Sequence, residues 1–524
     1  RLAGRDILFG IIFQVVLHSG LFNAVLRSCY HSAILLITSF EPANLTLLPA
    51  SQTWEIRFNR FLVQHNFREA YPMNDIATSS TRFSYPYATL QQIARDILDC
   101  AREGGASACE TDVSDGFGQN VTVRRGEVET IEYNRDKGLS VTVYIGQKRG
   151  HASTSDFSPQ AVRDTVAAAL SIAKYTAADD CAGLADANLL AREFPDLDLY
   201  FPWDLPVEQA IQLAQSCEAA AFAVDKRITN SEGASISLSE SQFVYANSLG
   251  FMGGYPTSRH SLSCAVIAGQ NDAMQRDYWY SVARDATDLE HADSVGKKAG
   301  MRSVARLGAK KIATCEVPVL FEAPIASSLI GHFVSAVSGG SLYRKSSFLL
   351  DSIGRQVFAP DIRIRELPYL KKGLASSVFD DEGVATIERK VVENGVVQGY
   401  FLGSYSARKL GLHTTGNAGG NHNLILDNGA PLEFPALLRK MGKGLLVTEL
   451  LGHGVNSVTG DYSRGAAGYW VESGEIRHAV EEVTIAGNLK DMLLGISAVG
   501  NDTLVRGSKQ CGSLLIDRMT VAGG

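Results

Sequence analysis

Zinc-dependent hydrolysis needs a metal held by several side chains and a base beside it. A helix carrying histidine followed at once by glutamate supplies both compactly. The chain has eleven histidines, and none precedes a glutamate. Glu449 and His453 (ELLGH) stand four apart, which would suit one helix face, but the run that follows, GHGVNSVTG, reads as a glycine-rich loop. A nucleophile elbow of the GxSxG type is absent, and so is a phosphate loop, GxxxxGK followed by Ser or Thr. His332, with Phe333 next to it, sits in an apolar run and reads as a core histidine rather than a ligand. The glycine clusters carry more signal. Thr415–Asn421 (TGNAGGN) and Thr459–Gly468 (TGDYSRGAAG) mix glycine with Asn, Asp, Ser and Thr. Such segments bring backbone close to a ligand or to another chain, or else form tight β-turns, and both readings stay open.

These residues need elements to hold them, and Val317–Val357 is the stretch around which the chain is organised. Val317–Phe321 is a short apolar run expected to be a buried strand. Pro324 suits the first turn of a helix. Ile325, Leu329, Phe333 and Val337 recur every four residues on one helix face. Gly339-Gly340 is expected to end that helix in a left-handed turn. A polar loop, Ser341–Ser347, then carries Tyr343, Arg344 and Lys345.

At 524 residues the chain is expected to hold two or three domains. Its hydrophobic content of 45% and charged content of 20% are those of a globular protein. A net charge of −7 argues against nucleic acid as the main partner, because phosphate binding needs a basic surface. Eight scattered cysteines form no CxxC pair, which points to buried thiols in a reducing cytoplasm.

Residues 1–72 differ from the rest, with six Arg and no Lys. Ile7–Leu26 is apolar but interrupted by Gln14, His18, Ser19 and Asn23, so neither a membrane span nor a signal peptide is expected. The natural protein is expected to begin at Met73, with 1–72 as translated upstream sequence. Residues 73–204 are then read as an N-terminal α/β domain. It has a helix over Leu90–Ala101, strands at Asn120–Arg125 and Leu139–Ile145, and a helix at Ser158–Tyr175 started by Ser158 and Pro159. Asp179–Asp204 is a connector. Residues 205–314 form a central α+β region, with a helix at Val207–Val224, an antiparallel meander of short strands and a helix at Asp288–Leu307. Residues 315–524 are dense in short strands and glycine turns, which predicts a mixed, β-rich, barrel-like C-terminal domain. The fold class expected for the whole is α+β.

Five runs carry a family resemblance. They are SAVSGGSLYRKSSFLLDSIG (Ser335–Gly354), GLHTTGNAGGNHNL (Gly411–Leu424), ELLGHGVNSVTGDYSRGAAGYWVESGEI (Glu449–Ile476), VEEVTIAGNLKDML (Val480–Leu493) and QCGSLLIDRMTVAG (Gln510–Gly523). From Met73 onward the chain resembles the PmbA (TldE) branch of the TldD/PmbA metalloprotease family, once called modulators of DNA gyrase. The resemblance implies a cytoplasmic, two-subunit peptidase. In it a TldD-type subunit carries zinc on HExxxH with a cysteine from a Cys-Gly pair, and trims peptides such as a microcin precursor or an unfolded antitoxin. Here Cys511-Gly512 matches the Cys-Gly position, while the helix around His332–Gly340 lacks the motif. The resemblance therefore implies a chain with no catalytic residue, metal site or bound cofactor of its own. Zinc would sit in the partner, peptides would be the substrates, and neither nucleic acid nor membrane would be a partner. Ser346, Phe348, Gly416, Gly419, Gly420, Gly460 and Gly465 are the candidates for lining a peptide cleft or subunit seam, where a peptide would add as a β-strand. A non-catalytic peptide-binding protein or a gyrase regulator is the alternative expectation.

Overall fold

The computed structural model describes residues 82–523, and the expectations for residues 1–72, including the start at Met73, lie outside the described residues. The chain has an α+β fold whose two halves are built differently. The N-terminal half is one antiparallel sheet. Its first part is a long hairpin, β1 (Ala108–Arg124) with β2 (Glu127–Ile145), edged by β3 (Lys148–Thr154). Its second part is β4 (Ile228–Asn247), the short β5 (Met252–Gly253), β6 (Pro256–Ala268) and β7 (Gln275–Ala283). The strand order β3-β2-β1-β4-β6-β7 joins both parts through the β1–β4 pair, with β5 on β4. The chain thus crosses the connector at 179–204 and returns to the same sheet.

Four helices cover one face of this sheet. α1 (Tyr87–Glu103) and α2 (Pro159–Tyr175) pack over Val113, Val141, Val143 and Val244. α3 (Val207–Phe222) and α4 (Ala292–Ala305) pack over Val121, Val123, Ile236 and Leu262. Val113, Val121 and Val123 are odd positions of one strand and so point to the same side. α2 begins as its sequence requires: Ser158 caps it by accepting from the Ala161 N–H, and Pro159 fills the first turn. The opposite face turns Phe243 and Tyr245 onto Val378, Phe379 and Val384 of the C-terminal half.

The C-terminal half contains a closed five-stranded barrel. β8 (Cys315–Phe321) pairs in parallel with β13 (Gly444–Leu451), which leads through β14 (Asp461–Glu472) and β15 (Glu475–Asn488) to β18 (Leu514–Ala522). β18 pairs with both β15 and β8, which closes the ring, while β16 (Ile496–Val499) hangs on β18. A second sheet has the order β11-β10-β9-β12-β17, running from β9 (Arg363–Glu366), β10 (Arg389–Glu393) and β11 (Val396–Val397) to β12 (Leu424–Asp427) and β17 (Lys509–Gln510). α5 (Ala323–Ala336), which follows β8 directly, lies in the core shared by these sheets: Leu329 and Phe333 belong to one buried cluster with residues of β9, β10 and the barrel.

Several local expectations change. Asn120–Arg125 and Leu139–Ile145 are only the ends of β1 and β2; the rest of β1 buries Glu110, Asp115 and Gln119, so apolar alternation cannot mark it. Gly339-Gly340 does not end α5 in a left-handed turn, and neither glycine has a positive φ. The helix stops at Val337, and Gly339 opens a one-turn helix, α6 (Gly339–Tyr343). Gly339 is glycine because of its neighbour α7 (Ser404–Leu410): an added Cβ would come 2.2 Å from Ser406 Oγ. Among the described residues no helix is long and apolar enough to cross a membrane.

Candidate functional site

α5 is pinned at both ends. At its start, Glu322 is paired with Arg302 of α4 at 2.8 Å, and the Ala323 N–H donates to Ser513 Oγ at 3.0 Å. Ser513 Oγ in turn donates to Asp502 at 2.6 Å, so the segment after Cys511 fixes where the helix begins. At its end, Ser347 Oγ donates to the Ala336 carbonyl at 2.6 Å. Between these anchors the outer side of α5 carries small residues, Ser327, Ser328, Gly331 and Ser335, with His332 beside them.

The cleft candidates fall into two places. Ser346 and Phe348 belong to the loop after α6. Ser346 N–H donates to the Ser341 carbonyl, and Phe348 N–H donates to the Ser457 carbonyl at 2.9 Å. The Phe348 ring packs on Gly460, where an added Cβ would come 3.2 Å from Phe348 Cγ. Gly465 lies further along β14, between Leu451 of β13 and Thr484 of β15. Gly416, Gly419 and Gly420 sit elsewhere, in a loop against Asp380, Asp381 and Glu366, and all three have a positive φ.

That second loop is held by buried charge. Glu366 accepts from Arg389 Nε at 2.7 Å, from Asn417 Nδ2 at 2.8 Å and from the His422 N–H at 2.7 Å. Asp380 accepts from the Ala418, Glu382 and Val384 N–H groups at 2.9–3.0 Å. Burial pushes the carboxyls of Asp380 and Glu382 above their ordinary range. The backbone N–H groups offset that cost.

The residues present do not fit a catalytic zinc site. Among the described residues no three His, Cys, Asp or Glu side chains are placed to hold one ion. Glu449 is paired with Arg306 at 2.5 Å, and His453 is exposed in the bend after β13. Cys511 is buried, with no set of metal-ligating side chains gathered around it among the described residues, and burial with the nearby Asp502 pushes its thiol up to about 12.

Three side chains that sequence reasoning did not combine meet beside α5. His332 and Tyr462 stack edge to face with centroids 6.0 Å apart, and Arg464 follows on the same side of β14. Burial lowers the His332 pKa, and the Arg464 charge lowers it further. Burial raises Tyr462 to about 12 against the opposing pull of Arg464. The only sequence signal was Tyr and Arg two apart inside TGDYSRG, a spacing that puts both on one side of a strand.

Comparison with known proteins covers most of the chain. Models of the PmbA/TldA metallopeptidase family match as domain 1 over residues 109–173, the central domain over 200–307 and the C-terminal domain over 314–523. The chain is 49% identical over 434 residues to metalloprotease PmbA of Escherichia coli O157:H7, covering 83% of this chain and 96% of that one. It is similar to the crystal structure of a candidate modulator of DNA gyrase from Bacteroides thetaiotaomicron, with TM-score 0.79, 27% identity, and 83% and 99% of the two chains covered. TldE from Thermococcus kodakarensis shares the fold, with TM-score 0.73 at 19% identity, covering 82% of this chain and 100% of that one.

Proposed function

Because the chain belongs to the PmbA/TldA metallopeptidase family, we propose that it is the subunit without a zinc site in a two-subunit cytoplasmic peptidase. Its partner is a zinc-bearing TldD-type chain, and its substrates are peptides and unfolded polypeptides, a microcin precursor being one example of the class. The observation that carries this reading is the mismatch between a metallopeptidase fold and the side chains at α5. Zinc hydrolysis needs several ligands, an open position for water and a base beside that water. Gly331, His332 and Phe333 occupy the middle of α5, and the Cys511 thiol is sealed in the core. The barrel and α5 then serve to shape a cleft and hold a peptide while the partner does the chemistry. Peptide capture as an added strand suits a substrate range set by backbone rather than by side chains.

The test uses the purified full-length chain with and without a HExxxH-bearing partner. Alone, it should carry no stoichiometric zinc by elemental analysis and cleave no peptide. Mixed with the partner, the pair should bind zinc and cleave, and Cys511→Ser in this chain should leave that activity intact. One tightly held zinc per isolated chain, with cleavage that a chelator removes, would overturn the proposal.

A further inference from the structure

We infer that the junction between the middle of α5 and β14 is a carboxylate-binding site that takes a chain-terminal or side-chain carboxylate of a polypeptide. The inference rests on the reading that this chain handles polypeptides, and it adds which chemical group the chain recognises.

The first observation is a set of orphaned donors. His332 Nε2, Tyr462 Oη and Arg464 Nε are all buried without a well-aligned hydrogen-bond partner among the described residues, although the Arg464 guanidinium lies close enough to the Tyr462 oxygen to pull its pKa down. A buried polar group left unmatched costs about 1–3 kcal/mol, and native folds hold few of them. Three in one place, from α5 and one side of β14, is a concentration that packing alone does not require. Each can donate: the imidazole as the Nε2–H tautomer, the phenol through O–H, the guanidinium through N–H.

The second observation is missing negative charge. Arg464 has no ion-pair partner among the described residues, and no carboxylate contributes to the shifted titration of His332 or Tyr462. Lys509, on β17, is alike: its Nζ donates only to Ser508 Oγ at 3.3 Å, and burial alone lowers its pKa. Its side chain runs along α5, where a Cβ at Gly331 would lie 3.9 Å from both Cδ and Cε. Two cations without acids therefore flank consecutive residues, Gly331 and His332. By contrast Arg389, buried in the same half, is answered by Glu366.

The third observation is access. His332, Arg464 and Lys509 are half-buried rather than sealed, and Ser335 next to them is exposed. A planar guanidinium with flanking N–H and O–H donors matches the two oxygens of a carboxylate.

The probe is an unstructured, neutral twelve-residue peptide labelled at its N-terminus, with binding to the full-length chain followed by fluorescence anisotropy. Three forms separate the sources of the carboxylate: a free C-terminus, an amidated C-terminus, and an amidated C-terminus with one internal Glu. The forms with a carboxylate should bind about tenfold tighter than the neutral amide, or about 1.4 kcal/mol. Which of the two wins names the source. Arg464→Gln and, with packing kept, Tyr462→Phe should each erase that preference while circular dichroism stays unchanged. Equal binding of all three forms, or a preference that survives both substitutions, removes the site and leaves the peptide reading standing. No binding by any form removes both. If inorganic phosphate binds there while the carboxylate forms show no preference, the site serves another oxyanion and the carboxylate assignment falls.

Discussion

The two glycine-rich runs of the C-terminal half look alike in composition and differ in what surrounds them. In Thr415–Asn421 the two buried acids that hold the loop are answered: Glu366 by Arg389, Asn417 and His422, and Asp380 by three backbone N–H groups. In Thr459–Gly465 the turn closes on itself, with Thr459 Oγ1 donating to Asp461 at 2.6 Å and Asn488 Nδ2 donating to Asp461 at 3.1 Å. Just beyond that turn, Tyr462 and Arg464 leave donors unmatched. The first run is a knot whose glycines permit positive φ and close contact with acids. The second borders donors that await an acceptor. Glycine content marks both; only the accounting of charge and hydrogen bonds separates structure from binding.

The comparison breaks most sharply at the buried pair. Arg389→Met leaves Glu366 charged and unpaired in the core, and should cost about 3–5 kcal/mol in urea unfolding. A loss below about 1 kcal/mol would mean that the network does not hold the loop. Gly419→Val should come next. Its φ is +88°, and an added Cβ would come 2.2 Å from Asp381 Oδ2. Backbone strain alone predicts about 1–3 kcal/mol. Gly420→Ala, also at positive φ but with nothing within 4 Å of its Cβ, isolates the strain from the collision, and equal losses for the two would refute the contact.

A smaller effect separates exposed from buried acids. Asp179, in the connector, accepts from Lys409 Nζ and from Tyr405 Oη of α7, both at 2.8 Å. The Lys409 contact comes first among the causes that hold its carboxyl at about 2, below the ordinary 3.8. A depressed folded-state pKa stabilises above the unfolded value and is lost as pH falls. Asp179→Asn should therefore remove a stability slope between about pH 4 and pH 2, worth at most about 1 kcal/mol because solvent screens the pair. An unchanged acid limb of the unfolding profile would show that the contact contributes nothing. Last in size, Arg464→Gln should leave the melting temperature unchanged or slightly raised, since it removes a cation with no acid to lose. A marked drop would show that Arg464 is structural and would close the comparison in favour of two knots.

Much of the scaffold was legible because it obeys local rules. Ser158 and Pro159 announce α2, Pro324 with the four-residue apolar spacing announces α5, and the density of glycine turns announces a β-rich half. β1 was half hidden because its inward positions include Asp115 and Gln119, whose partners, the Tyr85 N–H and the Leu205 carbonyl, lie on other elements. The site was harder still. The glycine runs stood out, but Tyr462 and Arg464 gain meaning only when β14 is placed beside His332, far earlier in the chain. Lys509 carries no local signal at all, since a lysine is ordinary until it is buried without an acid.

The closed ring has a consequence for the order of folding. β8 is apolar along Val317–Phe321 and is hydrogen-bonded on both edges, to β13 and to β18. The partner residues on β13 follow about 125 residues later and those on β18 roughly two hundred later, so both edges are bare at first and one stays bare until the end of synthesis. An apolar strand waiting with two bare edges is prone to pair with another copy of itself. Burying α5 early against β8 would shield one side of that strand but neither edge. The barrel is thus the part of this molecule that most needs slow dilution or a chaperone when the protein is made.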